Sequence, residues 1–98
     1  MPLVVDPDGV EIATIRELVD LRGKRVVDVG CGAGRLSFAC AGAGARVFGI
    51  DPDEDLIADA RADLPRDLSD RVRFAVANAA QLELPKGEFD LALFSWSL

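Results

Sequence analysis

The apolar residues of this chain form short, nearly continuous runs, separated by stretches in which they recur every three or four positions. Continuous apolar runs predict strands that are covered on both faces, and the stretches between them predict amphipathic helices. Strands that alternate with helices indicate an α/β fold, a doubly wound parallel sheet with helices on both faces in three layers. The predicted strands are residues 25–29, 46–50, 72–76 and 89–94.

Three helices are predicted around these strands. Asp8 and Glu11 have the spacing of a capping box, and Asp53 can cap the third helix. Glycines follow the first and second helices and would end them. No segment repeats and no linker divides the chain, so a single domain is expected. The predicted helices cover residues 8–21, 35–41 and 53–63.

Composition excludes several classes of function. The chain has 98 residues and a formal net charge of −6, which argues against a nucleic-acid or anionic-membrane surface. Because it has no histidine, it cannot use a Ser-His-Asp triad or a His-ligated zinc site. Cys31 and Cys40 do not form a disulfide framework or a metal cluster, and we expect buried, reduced thiols. No metal site is predicted.

The location of the protein is inferred from two absent signals. The N-terminal residues have no basic region followed by a long apolar run, so no signal peptide is expected. No uninterrupted apolar stretch approaches the ~20 residues that span a bilayer. The sequence therefore predicts a soluble, intracellular and cytoplasmic protein with no membrane partner.

A glycine loop directly follows the first long strand. Gly30, Gly32 and Gly34 permit a sharp turn and let backbone N–H groups approach a ligand, while the next helix presents its positive end. Asp51 follows Gly30 by ~20 residues, the spacing at which a carboxylate accepts hydrogen bonds from ribose hydroxyls. The simpler alternative is a tight turn and a helix cap. Three glycines and a spaced acid after a strand favour a nucleoside site beyond the carboxyl ends of the strands.

The same loop distinguishes between kinds of nucleoside ligand. The dinucleotide fingerprint G-x-G-x-x-G would place its third glycine at Arg35, and it has an apolar residue where this chain has Asp28. A carboxylate at that point repels a pyrophosphate and suits an ammonium group. The phosphate-binding loop G-x-x-x-x-G-K-[ST] is absent from the sequence. The pattern therefore fits an adenosine that carries an amino acid better than a dinucleotide.

Four segments together resemble one enzyme family. Residues 26–34, V-V-D-V-G-C-G-A-G, resemble motif I of the class I S-adenosylmethionine-dependent methyltransferases, D-x-G-x-G-x-G. Residues 49–52, G-I-D-P, are similar to the second motif, and residues 77–82, A-N-A-A-Q-L, to the segment G-D-A-x-x-L. Residues 89–95, F-D-L-A-L-F-S, resemble the fourth strand of the family. The resemblance implies S-adenosyl-L-methionine as the cofactor and a Rossmann-like fold.

The resemblance also implies a role for each matching residue. Asp28 would organise the ammonium group of the cofactor directly or through water, and Asp51 would accept from the ribose hydroxyls. Pro52 would lie against the adenine. Asn78, where the family more often has aspartate, would accept from the adenine amino group. The other implied contacts are Gly30, Cys31, Gly32 and Gly34 around the methionine part, the Ala79 N–H at a ring nitrogen, and Phe94 and Ser95 beside the sulfonium.

The family's sheet has seven strands in the order 3-2-1-4-5-7-6, and this chain accounts for 3-2-1-4. The resemblance implies that residues 1–98 are the cofactor-binding half of a methyltransferase domain, with a helical segment at 1–22 and strands one to four at 23–98. The fourth strand is then expected to be an open edge at which the chain could self-associate.

The acceptor is only indirectly indicated. Residues 95–98, S-W-S-L, do not match the [DN]-P-P-[FY] of enzymes that methylate amides, and they are similar to small-molecule methyltransferases. A small-molecule methyl acceptor is therefore expected, with no catalytic residue identified. Two alternatives remain open at this point. One is a non-catalytic adenosyl-binding module, and the other is a nicotinamide-dependent oxidoreductase domain, which Arg35 and Asp28 disfavour.

Overall fold

The protein, seen in a computed structural model, is built around a parallel sheet that positions a loop-rich edge. The structure describes residues 3–5, 20–78 and 88–94. Every strand runs in the same direction as its neighbours. The elements are β1 (Leu3–Val5), β2 (Arg25–Val29), α1 (Arg35–Gly42), β3 (Arg46–Asp51), α2 (Glu54–Asp63), a 3₁₀ turn (Arg66–Leu68), β4 (Val72–Val76) and β5 (Leu91–Phe94).

The strand order is β1-β5-β2-β3-β4. From β2 the chain crosses to β3 and then β4 on one side, and β5 returns to the other side of β2. This arrangement confirms the four predicted strands and their predicted order. It also confirms the Rossmann-like α/β class, since parallel neighbours joined through helices are its defining feature.

The fourth predicted strand is not an open edge, and that expectation was wrong. Leu3–Val5 forms a short parallel strand against β5, with Leu3 opposite Leu91 and Val5 opposite Leu93. Three residues are too few to show the alternation or length from which a strand is predicted. Because β1 pairs with this edge of β5, the reason given for self-association through it no longer holds.

The two described helices follow the sequence prediction closely. α1 ends at Gly42, and α2 begins after Asp53, whose Oδ1 accepts from the N–H groups of Asp55 at 2.9 Å and Leu56 at 3.2 Å. The first predicted helix, residues 8–21, lies almost wholly outside the described residues. Its last two positions, Asp20 and Leu21, are described and are not helical.

Both described helices pack on the same face of the sheet. Cys40 of α1 and Ile57 and Ala60 of α2 are buried there against Val26 and Val47. The opposite face has its own buried cluster, and no residue of α1 or α2 belongs to it. A helix layer on that second face stays a prediction. The buried residues of the opposite cluster are Val27, Val29, Ile50 and Ala92.

An ion pair joins β2 and β5 where they begin. The Asp90 carboxylate accepts from the Arg25 backbone N–H at 2.9 Å and from its guanidinium at 3.3 Å. The Asp90 N–H in turn donates to the Arg25 carbonyl at 2.7 Å. Hydrogen bonding from Arg25 lowers the pKa of Asp90. Asp90 therefore has a structural role at the amino edge of the sheet.

Among the described helices, none has the length and apolar character needed to cross a membrane.

Candidate functional site

The sheet register brings the predicted site residues to one edge. Val29 lies opposite Ile50 on one side and Phe94 on the other, and Asp51 lies opposite Val76. The strands β2, β3, β4 and β5 therefore end at nearly the same level. β3 and β5 lie on opposite sides of β2. The carboxyl end of β2 is therefore a topological switch point, the place where α/β sheets bind ligands.

The glycine loop is fixed to β3 through its own amides. The N–H groups of Gly30 and Cys31 both donate to the Ile50 carbonyl, at 2.8 and 2.9 Å, and the Gly34 N–H donates to Cys31 at 3.0 Å. The sequence predicts that backbone N–H groups of the loop face a ligand. At these positions that expectation was wrong, because the amides hold the turn in place. Because these N–H groups already have hydrogen-bond acceptors, the groups that the loop can offer to a ligand there are its carbonyl oxygens. A carbonyl oxygen accepts hydrogen bonds from an ammonium group.

Asp51 anchors the same loop. Its Oδ2 accepts from the Gly32 N–H at 3.0 Å, and its Oδ1 accepts from the Asp53 N–H at 2.8 Å. The residue is 8% exposed. A carboxylate has about four acceptor positions. Since the bonds from Gly32 and Asp53 use two of these positions, two remain for the two hydroxyls of a ribose.

The loop glycines differ in their surroundings. At Gly32, with φ +56°, an added Cβ would meet no atom within 4 Å, so this side of the loop faces open space. At Gly34, with φ +91°, it would lie 3.0 Å from the rings of Phe38 and Phe74. Gly34 thus provides the close helix-to-sheet approach that a third fingerprint glycine would have supplied at position 35. The residue there, Arg35, is exposed.

Asp28 lies beneath the loop and is completely buried. The Ser37 hydroxyl, on α1, donates to Asp28 Oδ2 at 2.7 Å, and Ser37 is also fully buried. Ser37 is not among the residues predicted from the sequence. Its position on the same helical face as Cys40 and Ala41 was the available signal, since a hydroxyl on a buried face needs a partner.

Cys31 is a buried thiol in the loop. Its Sγ lies 3.6 Å from the Gly32 carbonyl oxygen. Burial, together with the negative charges of Asp28 and Asp51, raises the pKa of Cys31 to about 12. The Cys40 thiol has a pKa raised to about 12 by burial and by Asp28. Both thiols are therefore protonated near neutral pH and are not nucleophiles there, and both are free, as expected.

Of the remaining residues predicted to contact the cofactor, three are described and two are not. Pro52 and Asn78 are exposed, and Phe94 is half-buried at the end of β5. Ala79 and Ser95 lie outside the described residues. In the described part of the chain no group of three or more Cys, Asp or Glu side chains could hold a metal ion.

The methyltransferase domain family matches residues 26–98, which include β2 except for its first residue, the glycine loop, Asp51 and β5. The chain belongs to this family. The relatives and solved structures that the chain is similar to are class I S-adenosylmethionine-dependent methyltransferases, as the sequence motifs predicted.

The relatives of this methyltransferase-family chain are longer than it is. It is 41% identical over 87 residues to the ubiquinone biosynthesis O-methyltransferase of Pseudomonas fluorescens, covering 88% of the chain and 37% of that protein. It is 37% identical over 76 residues to protein arginine N-methyltransferase 1 of Schizosaccharomyces pombe, covering 76% of the chain and 22% of that protein. The chain therefore spans well under half the length of both.

A solved structure agrees with the fold and the ligand. The magnesium protoporphyrin IX methyltransferase of Synechocystis PCC 6803 with bound S-adenosylhomocysteine superimposes with a TM-score of 0.74 at 32% identity. The match covers 89% of this chain and 39% of that one. S-adenosylmethionine is thus the cofactor of this family, and the residues of this chain fit it. Gly32 faces open space beside an anchored carboxylate, and the buried side chain of Asp28 lies below the loop.

Proposed function

We propose that residues 1–98 form the S-adenosylmethionine-binding part of a methyltransferase that acts on a small-molecule acceptor. The observation that carries the proposal is the joining of the glycine loop to Asp51 through the Gly32 N–H at 3.0 Å. This bond fixes the Asp51 carboxylate beside the open side of the loop, which supports the proposed role of Asp51 as an acceptor for ribose hydroxyls. When bound, the cofactor supplies a methyl group on an electrophilic sulfonium.

In this proposal each residue keeps the role that the family resemblance implies. Asp51 binds the ribose, Pro52 and Asn78 lie beside the adenine, and Gly32 gives the methionine part room to approach the backbone. The charge of Asp28 attracts the ammonium group from beneath the loop, since the side chain itself is fully buried. The remaining contacts proposed are Gly30, Cys31, Gly34, Ala79, Phe94 and Ser95.

The small-molecule acceptor is supported by two observations. The segment after the fourth strand is similar to that of small-molecule methyltransferases, and it lacks the amide-methylating motif. The O-methyltransferase relative matches more of the chain than the arginine methyltransferase does, 88% against 76%. Methyl transfer needs chiefly an acceptor held in line with the bond that breaks. The proposal is therefore that this domain binds and orients the donor while the rest of the protein binds the acceptor.

The cofactor part of the proposal is tested by calorimetric titration with S-adenosylhomocysteine and, separately, with NADH. We expect binding of S-adenosylhomocysteine alone. In Asp51→Ala the affinity should fall by ~1.5–3 kcal/mol for each hydrogen bond lost to the charged group, which is at least about tenfold in Kd. Asp55→Ala, on the exposed first turn of α2, is the matched control and should bind normally. Binding of NADH alone, or an unchanged Kd for Asp51→Ala, would contradict the assignment.

The acceptor part is tested with methyl-labelled cofactor on the full-length protein. A phenolic small molecule and an arginine-rich peptide are offered in parallel, and label is counted in the organic extract and on the peptide. Label in the extract supports the proposal. Label on the peptide would contradict the proposal of a small-molecule acceptor and leave the cofactor assignment intact.

A further inference from the structure

Ser37 and Asp28 form a buried polar pair directly under the glycine loop. Both residues have no exposed surface, and the Ser37 hydroxyl donates to Asp28 Oδ2 at 2.7 Å. Hydrogen bonds between a hydroxyl and a carboxylate are short and about twice as strong as neutral ones. Because a buried carboxylate is costly without hydrogen-bond partners, the Ser37 hydroxyl helps to make the burial of Asp28 possible.

The position of the pair connects the two ends of the loop. Asp28 lies on β2 before the loop begins, and Ser37 lies on α1 after it ends. The amides of Gly30 and Cys31 bind the upper part of the loop to Ile50 of β3. The loop is therefore held on one side by β3 and from below by the hydroxyl–carboxylate pair.

Packing alone does not explain a serine at this position. The other buried residues of α1 are Cys40 and Ala41, which bring no strong hydrogen-bonding group into the core. Within a helix a serine hydroxyl often bonds to a carbonyl of the preceding turn. Here it reaches across to the neighbouring strand instead, which fixes the direction of the Asp28 carboxylate.

We propose that Ser37 is a positioning residue for the amino-acid end of the cofactor, holding the Asp28 carboxylate charged and oriented beneath the loop where the ligand's ammonium group lies. The inference rests on the proposed function, since it assumes that the loop binds S-adenosylmethionine. A charge kept in the low-dielectric interior acts over several ångströms without contact. Removal of the hydroxyl should therefore be felt by a ligand with an ammonium group and not by one without it.

The test compares two ligands that differ only in that group. Wild type and Ser37→Ala are titrated calorimetrically with S-adenosylhomocysteine and with its desamino analogue, which keeps the carboxylate and lacks the ammonium. We expect Ser37→Ala to weaken the first ligand about tenfold, the scale of one hydrogen bond to a charged group. The Kd of the desamino analogue should stay within about twofold. Ser37→Thr, which keeps the hydroxyl, should restore the preference for the amino ligand.

Two further variants separate positioning from folding. Asp28→Asn removes the charge at nearly constant shape and should give the same selective loss, and adding Ser37→Ala to it should cause no further change in the ratio of the two Kd values. Cys40→Ala, on the same buried helix face, should affect both ligands equally.

The outcomes distinguish the inference from the function it rests on. Equal weakening of both ligands in Ser37→Ala, or no weakening of either, would overturn the inference while wild-type binding leaves the proposed function standing. If Ser37→Ala does not fold, a selective loss in Asp28→Asn that Ser37→Thr does not share supports it, and a non-selective loss overturns it. Failure of the wild type to bind S-adenosylhomocysteine would overturn the proposed function itself.

Discussion

Gly32 and Gly34 are two residues apart and both have positive φ, yet their neighbours give them different roles. The open space at Gly32 is on the side where the ligand is proposed to lie. At Gly34 the nearest atoms are those of Phe38 and Phe74, whose rings meet edge to face with centroids 5.8 Å apart. Gly34 therefore has a packing role between α1, α2 and the sheet that Gly32 does not share, and Gly32 is the glycine with room beside it for the proposed ligand.

Alanine at each position separates these roles. Both variants carry the left-handed backbone penalty of ~1–2 kcal/mol. Gly34→Ala adds overpacking against two rings, ~1–3 kcal/mol, so we expect the larger fall in its free energy of unfolding, measured in urea. Gly32→Ala should fold more stably than Gly34→Ala but bind S-adenosylhomocysteine more weakly than wild type. Equal destabilisation of the two variants, or wild-type affinity in Gly32→Ala, would contradict these roles.

At the residue scale, spacing along the chain is enough to predict that Asp51 lies beside the glycine loop. Asp51 could be predicted because the distance between a glycine loop and an acid is set by one strand-helix-strand unit. Ser37 could not, because its role depends on which side chain of another element lies opposite it. The hydrogen bonds from the loop N–H groups to the Ile50 carbonyl could not be predicted either, since the sequence does not show which acceptor lies near a given N–H group.

At the scale of elements, the Phe89-Asp90 pair at the start of β5 shows how a motif can be structural. Asp90 lies at the amino edge of the sheet, opposite to the site, and binds Arg25 through backbone and side chain. Because the Arg25 hydrogen bonds lower its pKa in the folded state, the carboxylate stabilises the fold above its ordinary pKa. This contribution is lost as pH falls through the lowered value.

We therefore expect Asp90→Asn to lower the urea midpoint of unfolding at pH 7, and the difference from wild type to shrink as the pH falls below the ordinary aspartate pKa of ~3.9. Asp70→Asn is the control, since Asp70 is 82% exposed and lies 3.9 Å from Arg71. It should leave the midpoint unchanged, as exposed pairs usually contribute little. A difference between Asp90→Asn and wild type that persists unchanged at low pH would show that the ion pair is not its source.

The bounds of a helix or strand were predicted well where its hydrophobic pattern extends over several residues. β2 and β4 agree with the predicted bounds, and β3 and α1 each extend one residue further. β5 begins at Leu91, two residues later than predicted, because Phe89 and Asp90 precede the paired residues. The short strand β1 was missed, since three residues cannot display a period and their pairing depends on β5, almost a full chain length away.

At the scale of the whole molecule, the strand order determines where the site can be. Because β2 lies between β3 and β5, the carboxyl end of β2 is the switch point of the sheet, and the glycine loop follows it directly. The two edges of the described sheet differ in how they are covered. Among the described residues β4 is an outer strand, and β5 is paired with β1 along Leu91, Ala92 and Leu93. An uncovered strand edge is a template for pairing with another chain.

Deletion of residues 1–5 should therefore expose the edge of β5. We expect the apparent mass of this variant to rise with concentration in size-exclusion chromatography with light scattering, and its urea midpoint to fall. A chain that lacks only residues 1–2 keeps β1 and is the matched control, with mass and midpoint close to wild type. If the longer deletion behaves like the shorter one, β1 does not protect this edge, and the covering of β5 must come from elsewhere in the molecule.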